Sequence, residues 1–289
     1  MGVAPAPGTA EWAAKVTASK VAAILGLSPF DSQYSVWQLM AGNVPPATET
    51  RPMQRGNMLE DAVLDWWLVD HPEHVEIERQ RWYPLGEWAG ATPDMDVTGP
   101  SGDHEGVDAK TIRDDEEWAD EPPAHYLASS MFQMACVPEM KRVHLAVLFG
   151  RPFDLRTYTI ERDDALIAQI VAQCRDFYDT VRMGTPPDLD DTVATYEAVK
   201  ALHPDIDADL DVEIPRDLAH EYVTASLALK DAETADRAAR TRLLDAMGRA
   251  RHATCDGTKV ARRQPNRSGI SLVRVAKHID PPQTEGIAS

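Results

Sequence analysis

Gly90-Ala91-Thr92-Pro93-Asp94-Met95-Asp96-Val97-Thr98-Gly99-Pro100-Ser101-Gly102-Asp103-His104-Glu105-Gly106-Val107-Asp108-Ala109-Lys110-Thr111 is the stretch in which fold and chemistry meet. Two short runs flank a centre of Gly, Pro, Ser and Asp, which predicts a β-hairpin with a loose turn. With the turn centred on Ser101, Asp94 lies directly opposite Asp108. Strand side chains alternate between faces, so Asp108 and Lys110 share one. Two carboxylates and one ammonium then converge on a small patch of sheet. Glu105 is a rival acid but falls on the face opposite Asp108, whereas Asp96 shares the face of Asp94 and stays open as an alternative.

Upstream, Thr17-Ala18-Ser19-Lys20-Val21-Ala22-Ala23-Ile24-Leu25-Gly26 predicts a helix that begins near Thr17 and stops at Gly26. Hydroxyls at its start, with Lys15 and Lys20 close by, suit an anion. A capped amphipathic helix with no ligand reads equally well. Met53 to Asp70 predicts a strong helix whose apolar residues Leu59, Val63, Trp66 and Trp67 recur at helical spacing, with Glu60 flanking the stripe. Val75 to Tyr83 reads as a strand leading into the hairpin. Asp114 to Glu121 reads as a loop or lid, and Ala124 to Val137 as a helix with Tyr126, Ser130 and Gln133 on one side. Arg142 to Phe149 predicts a buried strand, Phe153 to Ile160 an edge strand, and Asp163 to Met183 a long helix stopped by Gly184.

The remainder differs in character. Asp188 to Asp211 is acidic and loop-like with room for a short helix. Pro215 to Ala250 has the composition of one long helix or a helix pair, and Leu218, Tyr222, Ala225, Leu229 and Ala232 give it an apolar side. Two strands, His252 to Arg263 and Ile270 to Lys277, follow. The order predicts an α/β fold with a mixed sheet between helices. It divides into a leader at 1–10, a principal domain at 11–188, and an appendage of helix plus β-hairpin at 189–289.

The 289 residues are 43% hydrophobic and 26% charged, ordinary values for a globular chain. No run approaches the roughly 18 apolar residues of a membrane span. Met1 to Ala10 has neither the basic nor the apolar region of a signal peptide, so a disordered leader and a cytoplasmic location are expected, without a membrane partner. The three cysteines, Cys136, Cys174 and Cys255, have no metal-binding spacing. A net charge of −18 argues by itself against nucleic acid. Yet Arg249 to Lys277 carries eight Lys or Arg against one acid, Asp256, so a basic arm adjoins an acidic body.

Phosphodiester hydrolysis needs an activated water, stabilisation of a pentacovalent centre and a protonated leaving oxygen. Bound Mg²⁺ supplies much of this, and it takes hard oxygen ligands while keeping several waters. Asp94 and Asp108 fit as ligands, the Ala109 carbonyl completes the set, and Glu60 could approach from its helix as a further one. Lys110 can hold the water or the scissile phosphate as a point charge.

The stretch Thr17-Ala18-Ser19-Lys20-Val21-Ala22-Ala23-Ile24-Leu25-Gly26-Leu27-Ser28-Pro29-Phe30 resembles the opening of the YqaJ-like viral recombinase family, phage exonucleases related to lambda exonuclease. The resemblance continues in order through Arg55-Gly56-Asn57-Met58-Leu59-Glu60, Thr92-Pro93-Asp94, Val107-Asp108-Ala109-Lys110-Thr111 and Gln133, over roughly residues 12 to 150. It implies a restriction-endonuclease-like PD-(D/E)xK core, with a mixed central β-sheet flanked by helices. Asp94 and Asp108 would bind Mg²⁺ (Mn²⁺ as substitute), Lys110 would assist the water, and Glu60 and Gln133 would support the site. Ser19, with Thr17 and the weaker match Lys15, would engage a 5′-phosphate. The implied activity is 5′→3′ digestion of one strand at double-stranded DNA ends, leaving 3′ overhangs for a phage single-strand annealing protein, by a homo-oligomer in the form of a trimeric ring.

Two departures stand out. Asp108 occupies a position where relatives commonly have Glu, which shortens the reach by a methylene. Pro93-Asp94-Met95-Asp96 replaces the usual Pro-Asp-Gly. The runner-up readings are a RecB-type nuclease, against whose iron–sulfur branch the missing cysteine cluster argues, and a non-catalytic DNA-binding or assembly protein on a nuclease fold.

Overall fold

A computed structural model describes residues 5–6, 8–46, 48–113, 118, 121–267, 269–276 and 278–279. The expected lid at Asp114 to Glu121 therefore lies largely outside the described residues, as does much of the leader. Two compact units divide the chain, residues 1–206 and 207–289.

The first unit opens with α1 (Ala10–Ala13), β1 (Val16–Thr17), α2 (Ala18–Ile24), α3 (Gln33–Met40) and α4 (Arg51–Asp70). Five strands follow, β2 (Val75–Arg79), β3 (Tyr83–Leu85), β4 (Ala89–Ala91), β5 (Met95–Thr98) and β6 (His104–Ile112). Then come α5 (Ala124–Cys136), β7 (Met140–Gly150), β8 (Phe153–Glu161), α6 (Asp164–Met183) and α7 (Val193–Leu202). The main sheet has the order β2-β5-β6-β7-β8, and only β6 and β7 run parallel, joined through α5. This is the mixed sheet between helices that the sequence predicts. The strand expected over Val75 to Tyr83 is interrupted. Gln80 takes a positive φ of 56° and the chain leaves the main sheet, so that β3, β4 and β1 form a small sheet of their own.

Period-two alternation sorts the core into two layers. From β7, Val143, Leu145, Val147 and Phe149 face the layer that holds Phe132 of α5 and Ile167, Ile170 and Phe177 of α6. Ala146 instead joins Met95, Val97 and Val107 against Val63, Leu64 and Trp67 of α4. Trp67 is wholly buried, and its indole N–H donates to Thr157 Oγ1 at 3.1 Å, which satisfies the one polar atom it buries. Asp163 caps α6 through two backbone amides, and Gly184 ends it with φ 71°, as the sequence predicts. The segment after it is less loop-like than expected: Thr195 of α7 donates to Ser32 at the start of α3 at 2.7 Å.

A polar network is sealed within the α4 layer. Glu105, 1% exposed, faces His74 Nε2 at 3.1 Å, His144 Nε2 at 2.8 Å and Arg142 Nη1 at 3.5 Å. Gly99 packs so closely on this carboxylate that an added Cβ would come within 3.0 Å of it.

The second unit contains α8 (Arg216–Met247), β9 (His252–Cys255), β10 (Thr258–Asn266) and β11 (Gly269–Arg274). One helix forms rather than a pair. Three antiparallel strands form rather than two, in the order β11-β10-β9. Asp256 (φ 47°) and Gly257 (φ 79°) make the extra reversal, a two-residue turn of the kind Asp-Gly favours.

Burial lowers the pKa of His144 below its ordinary 6.5, outweighing the attraction of Glu105. The unfolded chain therefore takes this proton first as pH falls. The stabilisation is complete above about pH 6.5 and is lost as pH drops towards the folded pKa. We expect the melting temperature to fall between about pH 7.5 and about pH 5.5, and His144→Asn to flatten that slope. Thermal melts in which both proteins show the same slope would contradict this assignment.

Candidate active site

The β5–β6 ladder pairs Met95 with Val107 and Asp96 with Gly106. One step further, Asp94 meets Asp108 as the turn position predicts. The Asp94 amide donates to Asp108 Oδ1 at 3.4 Å, and the Ala109 amide donates to Asp94 Oδ2 at 2.9 Å. Lys110 Nζ lies 3.1 Å from Asp108 Oδ2, 3.1 Å from the Ala109 carbonyl oxygen and 3.7 Å from Asp94 Oδ2. One ammonium thus touches all three oxygen donors that the residue types suggest for a metal.

Gln133 reaches this group from α5. Its Nε2 donates to both carboxylate oxygens of Asp108 at 3.0 Å, while its own buried Oε1 has no hydrogen-bond partner among the described residues. Glu60 comes from α4 in the other layer, and its Oε1 accepts from Gln80 Nε2 at 2.5 Å. It feels the charges of Lys110 and Asp108 without bonding to them, and burial raises its pKa.

Burial raises the pKa of Asp94, and the neighbouring charge of Asp108 adds to the effect; Lys110 opposes both. Burial likewise disfavours the charge of Lys110, but Asp108 and Asp94 outweigh it and hold the ammonium above its usual range. The site is therefore short of positive charge: one cation serves two carboxylates. Hard oxygens from two side chains and a carbonyl, together with an orphaned amide oxygen, fit a hydrated divalent ion.

A cavity of about 670 Å³ opens over the group, lined by Asp94, Asp108, Lys110 and Gln133 and also by Thr17 and Ser19. Thr17 Oγ1 and Ser19 Oγ are 2.9 Å apart. Lys15 does not join them. It lies in the turn between α1 and β1, and its ammonium donates to the Glu87 carbonyl at 2.8 Å. Lys20 is no anion ligand either: 3% exposed, it donates to the Trp12 and Lys15 carbonyls at 2.7 Å each. Burial lowers its pKa to about 7. Asp96, left open by the strand pattern, is withdrawn from the site by Tyr83 Oη at 3.1 Å and His104 Nε2 at 2.8 Å.

Other cavity residues have no site role that the sequence pattern marks. Trp12, Trp82, Phe30 and His125 provide aromatic walls, Pro5 and Ala6 of the expected leader line it, and Phe30 is 74% exposed. Gln80 holds Glu60 with its side chain, and its amide donates to the Asp94 carbonyl at 3.2 Å. Gln carries no special preference for positive φ, so no local signal marks this residue. On the opposite face of the sheet, ligand atoms of His74, Glu105 and His144 lie within 4.8 Å of one another and could hold a metal ion. Arg142 already supplies positive charge to that carboxylate.

Residues 12–138 match the YqaJ-like viral recombinase domain. The match spans the Ser19, Glu60, Asp94, Asp108, Lys110 and Gln133 positions. An alkaline exonuclease from Laribacter hongkongensis is 23% identical, with 61% of this chain and 94% of that one covered, at a TM-score of 0.47. A phage-related exonuclease from Haemophilus somnus is 15% identical, with 59% and 96% covered and a TM-score of 0.44. No curated protein matches the chain. Among the described residues, no helix is long and apolar enough to cross a membrane.

Because the folded pKa of Asp94 is raised, its charged form opposes folding without metal. Stability from this group is present at low pH and lost as pH rises through the folded pKa. In EDTA near neutral pH, Asp94→Asn should melt higher by about 2–4 °C, the scale of roughly 1 kcal/mol in a domain of this size. Added Mg²⁺ should raise the melting temperature of the wild type and not that of the variant. A lower melting temperature for the variant in EDTA would show that the carboxylates are not in conflict.

Proposed function

We propose that this protein is a metal-dependent 5′→3′ exonuclease that digests one strand at the ends of double-stranded DNA and leaves 3′ single-stranded overhangs. The observation that carries the reading is the convergence of Asp94, Asp108 and the Ala109 carbonyl on one ammonium. Mg²⁺, with Mn²⁺ as a substitute, would be held by those three oxygens, and Glu60 would add a further acidic group. When bound, the ion supplies Lewis acidity and an acidified water.

The chain's own residues do the rest. Gln133 fixes the rotamer of Asp108 through two hydrogen bonds, leaving its buried Oε1 as an acceptor for a water proton. Lys110 stays protonated beside the carboxylates and orients the water or the scissile phosphate. Ser19 and Thr17, on the same cavity, present hydroxyls to a terminal phosphate. A 5′-phosphate held there would bring the reacting bond near a 5′ end. The aromatic walls suit stacking of terminal bases. A phage single-strand annealing protein would take the 3′ strand, and a trimeric ring would retain the duplex.

The second unit fits the DNA as well. In the β9–β10 ladder, Arg262 pairs with His252 and Lys259 with Thr254, so Lys259 and Arg262 share one sheet face. Replacing both by Gln should weaken DNA binding and reduce the salt slope by about 2, one for each lost phosphate contact. Titrations at several salt concentrations with an unchanged slope would remove this sheet from the interface.

The enzymatic reading is tested on linear duplex DNA, 5′-phosphorylated or not, with Mg²⁺ or EDTA. Loss of one strand from the 5′ ends is expected with Mg²⁺ only. Asp108→Asn and Lys110→Ala should each reduce the rate at least about 100-fold, the scale of losing a catalytic electrostatic contact. Unchanged rates in those variants would sink the site assignment. No degradation with any divalent metal would favour a binding protein instead.

A further inference from the structure

Every residue from His220 to Arg242 of α8 is exposed, a stretch of about six helical turns. Isolated helices draw little stability from propensity alone and normally pack an apolar face. Here the apolar face exists and is bare: Tyr222 is 72% exposed, Leu229 62% and Leu218 50%. From Leu218 onwards, the positions on this face advance by alternating steps of four and three, the heptad spacing of a coiled-coil seam. Ala225, Ala232, Ala239 and Ala246 recur every seventh residue, and between them stand Leu229, Asp236 and Leu243.

We propose that α8 pairs with α8 of a second copy of this chain as an antiparallel coiled coil. Antiparallel pairing generally sets the larger positions of this seam against alanines, and one register also brings opposite charges together at its flank. Leu218 meets the partner's Leu243, Tyr222 meets the partner's Ala239, and Leu229 meets the partner's Ala232. Each large interior side chain then fills the space left by an alanine. At the flank, Glu221 faces the partner's Arg242, and two-fold symmetry repeats the contact.

A parallel pair would do none of this. It would set Tyr222 against Tyr222, leave alanine opposite alanine, and press Asp236 against its own copy. In the antiparallel register Asp236 faces the partner's Ala225 and keeps its bond from Arg240 Nε at 2.7 Å on the same helix. Charge and size therefore select the antiparallel pair, and a second copy of this chain supplies all the complementary positions. The pairing stands independently of the nuclease reading.

The test uses the full chain in a Cys255→Ser background, since Cys255 is an exposed free thiol. Analytical ultracentrifugation over a dilution series should show mass falling with dilution. Leu229→Glu should remove this two-fold association and leave intact any ring formed through other surfaces. Glu221→Arg should raise the dissociation constant about tenfold, and adding Arg242→Glu should restore it. Oxidation of Leu218→Cys/Leu243→Cys should link two chains, whereas Leu218→Cys alone should not. Association unaffected by Leu229→Glu, linkage through Leu218→Cys alone, or no rescue by the second charge reversal would each overturn the proposal. So would a chain that stays monomeric at all concentrations, and the face would then belong to a different partner.

Discussion

Two carboxylates compete for one ammonium at the centre of the first unit, and much of the fold serves to hold them there. Like charges about 4 Å apart repel by roughly 4 kcal/mol at protein-like screening, so such a pair persists only where its surroundings dictate it. Here the dictation is local and made of backbone hydrogen bonds. Asp94 and Asp108 are opposed by the β5–β6 register, and the Ala109 amide ties the two strands at that point. Lys110 relieves part of the repulsion without ending it, which leaves the site able to gain from a further cation.

Sheet alternation separates this site from the rest of the polar interior. Along β6, Asp108 and Lys110 face α5, while Glu105 and Val107 face the α4 layer. Glu105 is provided for there by His74, His144 and Arg142, and its network is a sealed structural element within the first unit. The two acids lie three residues apart on one strand and answer to different physics. One is compensated by built-in donors; the other is left under-compensated in an open cavity.

The second unit inverts the logic of the first. Its sheet buries little beyond Ala261 and Met247, and its long helix carries a face with no partner among the described residues of its own unit. A structure with so little core is explained by what it meets rather than by what it encloses. Basic residues on one face of the sheet and a self-complementary seam on the helix give it two separate surfaces to offer.

Much of this is legible in the sequence. The hairpin turn at Ser101, the opposition of Asp94 and Asp108, the face shared by Asp108 and Lys110, and the exclusion of Glu105 all follow from a period of two and a count of residues. The long helices and their stops followed from apolar spacing, Asp163 and Gly184. The Asp256-Gly257 turn was also written in the sequence, in a dipeptide that takes positive φ readily, although two longer strands described the composition equally well. What the tertiary structure alone decided concerns residues whose roles come from distant partners. Gln80 breaks a strand and joins Glu60 to Asp94 in a conformation that nothing in its neighbours requires. Lys15 and Lys20, close in sequence to Ser19, are drawn away by carbonyls of Glu87, Trp12 and Lys15 itself. Asp96 had the right face and lost its place to Tyr83 and His104. Local periodicity sets which way a side chain points; only packing sets what is waiting there.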